Sequence, residues 1–396
     1  MTFAAPARGA TLEERVAAVI EAYDAQGNHR TATEVDAASG RWLGEEVAAA
    51  GARPEFEHFA LDRVDPVAAY LRAGGARFDG VPLFDAAFTE AEGVSGRLGP
   101  LGGDAEIGVA QSEPSRLTDP GSEGRRAYLT EIRRSRHKAV VLITRGTRPG
   151  LFLLNAPGFR KPAGPPTLQV SSAEGARLLE LAASRAEATL VAHAKRSPAQ
   201  GFNVLAELPG SNPGLAPVVV TTPRSAWWQC ASERGGGIAC WLEVMRAIAA
   251  AKPLRTCLFA AFSGHEISWI GIDDYLRRRP DLVKRSRAWI HFGANIGAPR
   301  QPSMVNASDD ALENWAAAAL AAQRIDLTRR AARGSTPFGE AAFVHRGGGR
   351  YASLVCDSDV FHHVADRWPD AVDVSATARY AAAFSTAIAA LAGEAA

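Results

Sequence analysis

The chain has 396 residues, 47% of them hydrophobic, enough to bury a full core and to form one large domain with a smaller one inserted. Its 44 basic and 43 acidic residues leave a formal charge of +1, which supplies no electrostatic basis for binding nucleic acid or an anionic membrane. The start, Met1-Thr-Phe-Ala-Ala-Pro-Ala-Arg-Gly9, lacks the apolar core of a signal peptide, and no stretch reaches the roughly 20 apolar residues of a membrane span, so a cytoplasmic protein is expected.

In chain order, residues 12–25 read as a helix and residues 34–50, closed by Gly51, as a second. Residues 53–61 alternate Phe56, His58 and Ala60 with other, partly charged residues, the pattern of an edge strand. The texture changes from about residue 65. Between residues 78 and 200, strand signals at 139–144 and 151–154 are divided by Gly/Pro-rich turns, and a helix follows at 172–183. The basic cluster at 125–138 fits a solvated helix face.

Three apolar runs, at 217–220, 256–262 and 288–292, are short enough for buried parallel strands. Between the first two, Ile238, Leu242, Met245 and Ile248 recur at helical spacing over 238–249, and Lys252-Pro253 stops that helix. Residues 309–330 are Ala-rich and helical, 333–349 are glycine-rich and border a pocket, and 376–391 make a closing helix. The fold class is therefore α/β, a mixed, mostly parallel sheet flanked by helices with an inserted smaller β-rich domain. Cys230, Cys240, Cys257 and Cys356 are scattered and read as free thiols, Cys240 and Cys257 in the core.

In such sheets ligands sit beyond the carboxyl ends of the strands, which directs attention to the loops at 221–237 and 263–268. In the second, His265 and Glu266 are adjacent and share one side only if the backbone turns. Glu233 and Arg234 precede a helix beginning near Gly235, where free N–H groups bind anions; the competing reading is an ion pair that anchors the loop. Ser225 and Cys230 are nucleophile types beside a base such as His265, but neither lies in a nucleophile-elbow sequence, which favours polar pocket lining. One of Trp227 and Trp228 offers the site an aromatic wall, or both pack. His291 and Asn295 flank the end of the third strand as neutral hydrogen-bonding groups. His362 and His363 adjoin Asp366, which orients an imidazole. His29, His58, His137, His193 and His345 carry no comparable signal.

The order and spacing of these segments resemble the zinc peptidase family that contains bacterial leucyl aminopeptidase, glutamate carboxypeptidase II, glutaminyl cyclase and the transferrin receptor, over most of the chain. The resemblance implies a catalytic-like domain at 1–77 and 201–396 and a protease-associated insert at 78–200. The polar opening Asn28-His-Arg-Thr-Ala-Thr33 matches the one the family places before its second helix. The family's His-x-Asp falls on Pro223, Arg224 and Ser225, so the first histidine ligand is missing. Its Gly-Ala-x-Asp falls on Cys230-Ala-Ser-Glu233, and its Glu-Glu pair, base then ligand, on His265 and Glu266. Its next aspartate falls on Ala294 and its last histidine on His362, with His363 as the substitute if the loop shifts.

The resemblance thus leaves Glu233, Glu266 and His362 as ligands for at most one divalent metal such as zinc, or for none. It implies a hydrolase acting on an amide or peptide-like bond of a small substrate, with His265, Glu266 and Glu233 in catalytic roles and Arg224, Ser225, Trp228, Arg234, His291, Asn295 and His363 around the substrate. The alternative is a catalytically silent homologue that binds a partner. Convergence of Glu233, Glu266 and His362 within about 2.0–2.2 Å of one point would favour a mononuclear zinc site, and Arg234 at that point would exclude it. A homo-oligomer is left open.

Overall fold

The computed structural model describes residues 9–112, 123–298 and 303–395, with the backbone alone at 123–128, so part of the basic cluster at 125–138 lies outside the described side chains. Helix α1 (Leu12–Asp24) opens on a capping box in which Thr11 and Glu14 satisfy each other's backbone N–H groups. Helix α2 (Glu34–Ala49) is capped by Thr33.

Strand β1 (Arg53–Ala73) is far longer than the expected edge segment, because it pairs antiparallel with β7 (Glu187–Leu208) along its whole length. Its first half is an edge, since β2 (Ala76–Pro82) joins it only at Tyr70–Ala73. The two long strands carry one end into each of two hydrophobic cores. At one end Leu71, Leu190 and Ala192 pack with β3 (Val94–Pro100), β4 (Ile107–Gln111), β5 (Ala139–Thr144) and β6 (Thr167–Ser171). Helix α3 (Glu123–Arg134) precedes β5, and α4 (Gly175–Ala183) covers this smaller core. The extended segment at 151–154 joins no ladder; its single bridge, Phe152 to His363, takes it out of the small sheet and onto the larger one's loops.

At the other end β8 (Val218–Pro223), β9 (Cys257–Phe262), β10 (Ala288–Phe292) and β13 (Tyr351–Cys356) form the parallel centre in the order β9-β8-β10-β13. These runs are mostly apolar and almost wholly buried because helices cover both faces. Helices α5 (Gly236–Ala251) and α10 (Val374–Gly393) bury one face with Trp241, Met245, Phe384 and Ile388, and α6 (Ile270–Arg277) and α7 (Leu282–Arg285) bury the other with Ile272, Tyr275 and Leu282. Helix α5 stops at Lys252, whose left-handed φ of 53° precedes Pro253.

The Ala-rich stretch at 309–330 is not one helix. Helix α8 (Asp310–Ala322) stops ahead of Arg324, which has a φ of 56°, and Leu327–Arg330 forms β12 beside β11 (Ser303–Ala307). Helix α9 (Ala341–Arg346) interrupts the glycine-rich segment. The four cysteines are free and buried. Among the described residues no helix is long and apolar enough to cross a membrane.

His29 joins α1 to the site loops: its N–H donates to the Trp228 carbonyl, its carbonyl accepts from Ala226, and its ring stacks on Tyr23 with centroids 3.7 Å apart. Burial drops its pKa to about 3. Below about pH 6.5 the unfolded chain therefore binds a proton that the folded chain refuses, and stability is lost as pH falls. The His29 share of that loss is about 3 kcal/mol between pH 7 and 4. A His29→Phe variant, which keeps the stacking, is expected to show a flatter acid arm in urea titrations; an unchanged arm would refute the assignment.

Candidate active site at the carboxyl ends of the parallel strands

The loop after β9 turns sharply, with Gly264, Ser268 and Trp269 all at positive φ, and this sends His265 and Glu266 in opposite directions. Glu266 points into the protein. Its Oε1 accepts from the Thr31 amide at 2.7 Å and the Thr31 hydroxyl at 2.6 Å, and its Oε2 from the Ser225 hydroxyl at 2.7 Å. Ser225 Oγ in turn accepts from the amides of Gly264 and His265. Both oxygens of Glu266 and the hydroxyl proton of Ser225 are thus committed to tying the polar opening before α2 to this loop.

His265 points the other way. Its Nδ1 lies 2.9 Å from Glu340 Oε1, and Glu340 Oε2 lies 3.2 Å from His291 Nε2. His291 Nδ1 is 2.9 Å from Ser353 Oγ. With the Glu340 carboxylate accepting from both rings, His291 Nδ1 accepts the Ser353 hydroxyl and His265 Nε2 is left as a lone pair. Burial pulls the His265 pKa down, and Glu340 offsets part of the effect, so the imidazole is neutral near pH 7. Burial pushes Glu340 up, but His265 and His291 outweigh it and hold the carboxyl well below the usual range. Gly339, at φ 59°, brings the chain so close that a Cβ there would stand 3.3 Å from His265 Cε1 and 3.5 Å from His291 Cε1.

The loop after β8 supplies the third group. Residues Ala231–Gly235 form a π turn, which Asp366 caps by accepting the Ser232 and Glu233 amides at 2.7 and 3.0 Å. Helix α5 can start there because a Cβ on Gly236 would fall 2.2 Å from the Gly297 nitrogen. Burial and the nearby Glu233 push Asp366 up to about 7. Glu233 Oε1 lies 2.7 Å from Arg234 Nη2 and 3.4 Å from His362 Nε2. The 2.7 Å contact is an ion pair by distance without hydrogen-bond alignment, since neither atom has an aligned partner. Arg234 Nε donates to the Ser225 carbonyl at 2.9 Å, so the guanidinium spans the ends of this loop. Burial pushes the Glu233 pKa up, but Arg234 and His362 hold it well below the usual range.

Among the described residues, the only three potential metal ligands with donor atoms within 4.8 Å of one another are Cys230, Glu233 and Asp366. Glu266 is not among them, so Glu233, Glu266 and His362 do not converge on one point. Burial pushes the Cys230 thiol far up.

Between these groups lies a cavity of about 420 Å³ lined by His265, His291 and His362, by Trp269, Phe338, Phe343 and Phe361, and by Arg346. Segment 150–158 covers it. Leu154, Asn155 and Pro157 reach the lining, the Leu153 carbonyl accepts from His362 Nδ1 at 2.8 Å, and the Ala156 amide donates to the Glu266 carbonyl. The buried His362 Nε2 and Trp269 Nε1 have no hydrogen-bond partner among the described residues.

The remaining residues of the sequence reading stand outside the lining. Arg224 pairs with Asp36 at 2.8 Å and donates to the Phe202 carbonyl at 2.6 Å, both ionic side chains fully buried. Trp227 packs on Phe84, and Trp228 donates to the His362 carbonyl. Asn295, at φ 63°, donates to the Cys356 carbonyl. His363 packs on Phe152 and its Nδ1 accepts from Ala365. Glu340 escaped the sequence reading. Its one signal is to be the sole acid between Asp326 and Asp357, set among Phe338, Ala341 and Phe343.

No protein-family model matches the chain, and no curated protein does. Solved structures do. The zinc aminopeptidase BSAP from Bacillus subtilis superposes with a TM-score of 0.76 at 15% identity over 100% of this chain and 97% of its own. A peptidase M28 precursor from Shewanella amazonensis gives 0.76 at 16% identity, over 97% and 96% of the two chains. The aminopeptidase from Aneurinibacillus sp. strain AM-1 gives 0.70 at 16%, over 95% and 93%. The chain has a zinc-aminopeptidase-like fold, a mixed sheet flanked by helices with the histidine-lined cavity at the carboxyl ends of its central strands.

Proposed function

We propose that this chain is a metal-independent hydrolase that cleaves an amide or related bond of a small substrate, with His265 as the base. The observation that carries the reading is the His265–Glu340–His291 chain, which leaves the Nε2 lone pair of His265 at a cavity walled largely by aromatic rings. The same reading takes residues 78–200 as a protease-associated insert and 1–77 with 201–396 as the catalytic-like domain, supported by the separate smaller core.

The residues do not fit the zinc centre that the fold suggests. Pro223 and Ala294 offer no donor, both Glu266 oxygens are taken by Thr31 and Ser225, and Arg234 brings a fixed positive charge against Glu233. A cation beside that guanidinium would be repelled. No step is therefore assigned to a metal. Water entering the cavity gives a proton to His265 Nε2 as its oxygen adds to the substrate carbonyl carbon, and Glu340 steadies the imidazolium that forms. Collapse breaks the C–N bond, and the amine leaves with the proton from His265.

A second reading, a silent homologue that only binds, draws on the same filled centre and on the withdrawal of Ser225 and Cys230 from the cavity lining. The two part on one experiment. Protein purified without chelator is assayed for zinc and for hydrolysis of small anilides and esters, with and without chelator, beside His265→Gln. Substoichiometric zinc and chelator-insensitive turnover lost in the variant are expected. Stoichiometric zinc sinks the metal-free reading, and zinc-free protein without turnover leaves binding.

A further inference from the structure

The described lining of the cavity carries a permanent charge of one sign, positive, at its solvent-exposed edge. Arg346, in the last turn of α9, is the only residue of the lining with a permanent charge among the described residues. It has no carboxylate partner among the described residues; its guanidinium lies over the Phe343 ring, 4.2 Å from the centroid. Among the described residues the acids around the cavity are engaged elsewhere: Glu340 with two histidines, Glu233 with Arg234, Glu266 with Thr31 and Ser225, and Asp366 with the Ser232 and Glu233 amides. Among the described residues a free ammonium group entering the cavity meets no available carboxylate, whereas a carboxylate meets a guanidinium held on an aromatic ring and paired with no described acid. The rest of the wall, Trp269, Phe338, Phe343 and Phe361, suits a planar or branched apolar group. The volume, about 420 Å³, is that of a small-molecule site.

We infer that the cavity takes a small carboxylate bearing an aromatic or branched apolar group with its amino nitrogen blocked as an amide, the carboxylate seated on Arg346 and the apolar group against Phe338 and Phe361. This rests on the reading of the cavity as the substrate site. It reverses the charge preference of an aminopeptidase, which must accommodate a free amine.

The test uses the whole chain and calorimetric binding of three probes: N-acetylphenylalanine, its primary amide, and phenylalaninamide with its free ammonium. The acetylated acid is expected to bind about tenfold more tightly than its amide, as a charge-assisted contact implies, and phenylalaninamide more weakly than either. Raising the salt from about 50 mM to about 500 mM shrinks the preference, because the guanidinium is solvent-facing. Arg346→Gln, an exposed substitution that leaves the core untouched, makes the acid and the amide bind alike, and Arg346→Lys keeps part of the difference. All constants are measured again in His265→Gln, so that the preference stands or falls apart from turnover. Equal affinity for acid and amide in the native chain, tighter binding of the ammonium probe, or no binding of any of them overturns the inference.

Discussion

Glu340→Gln is expected to lower turnover of an amide substrate about a hundred- to a thousandfold, the range for loss of an assisted general base. The physical reason lies in donor counting. A carboxylate accepts from both imidazoles, whereas an amide offers one oxygen to one ring and its NH2 group to the other. One histidine must then change tautomer, and if it is His265 the lone pair turns away from the cavity. The negative charge that steadies the imidazolium is lost as well.

The pH profile separates this from simple damage to the fold. Burial lowers the His265 pKa and Glu340 raises it, so in the native chain the acid limb of kcat/KM lies below the ordinary histidine value and activity is lost as pH falls through it. Removing the carboxylate takes away the raising influence and moves that limb to still lower pH, while the plateau falls. A variant with native turnover and an unmoved limb would sink the assignment of His265 as the base.

The elements were far more legible in the sequence than the site. Apolar runs such as Val218-Val219-Val220 and capped starts such as Thr11 and Thr33 are local signals, and the strands and helices follow them. Some failures of this kind were also local in cause, although the full length of β1 follows from its distant partner β7. The Ala-rich stretch reads as one helix because nothing in its composition marks the left-handed Arg324. Site chemistry depends instead on partners brought together by topology. Glu266 looks like a ligand until Thr31, 235 positions earlier, is seen holding it. Glu340 meets His265 across 75 residues and belongs to no motif. For Arg234 the sequence offered two readings, anion site or ion pair with its neighbour, and the chain folds so that the pair is buried.

Arg234→Met is expected to destabilise the chain by about 3–5 kcal/mol at neutral pH, because it strands a buried carboxylate. Both side chains of the pair are about 1% exposed, which leaves water no means of compensating Glu233 once the guanidinium is gone. The sign of the pH dependence follows. In the native chain Arg234 and His362 overcome the rise due to burial, so Glu233 contributes stability above the ordinary carboxylate range, lost as pH falls. In the variant burial prevails and raises the Glu233 pKa, so the carboxyl takes up a proton and the deficit narrows as pH falls through that raised value. Urea denaturation at several pH values reads both effects, and a deficit under about 1 kcal/mol at pH 7 would show that the pair compensates no buried charge. The double variant Glu233→Gln with Arg234→Met removes both charges and should recover most of the loss, since a neutral amide still accepts the His362 N–H. Because it restores the fold without the guanidinium, that variant also decides what Arg234 is for. Native turnover in it assigns the residue to architecture, and lost turnover with restored stability places its charge in the reaction.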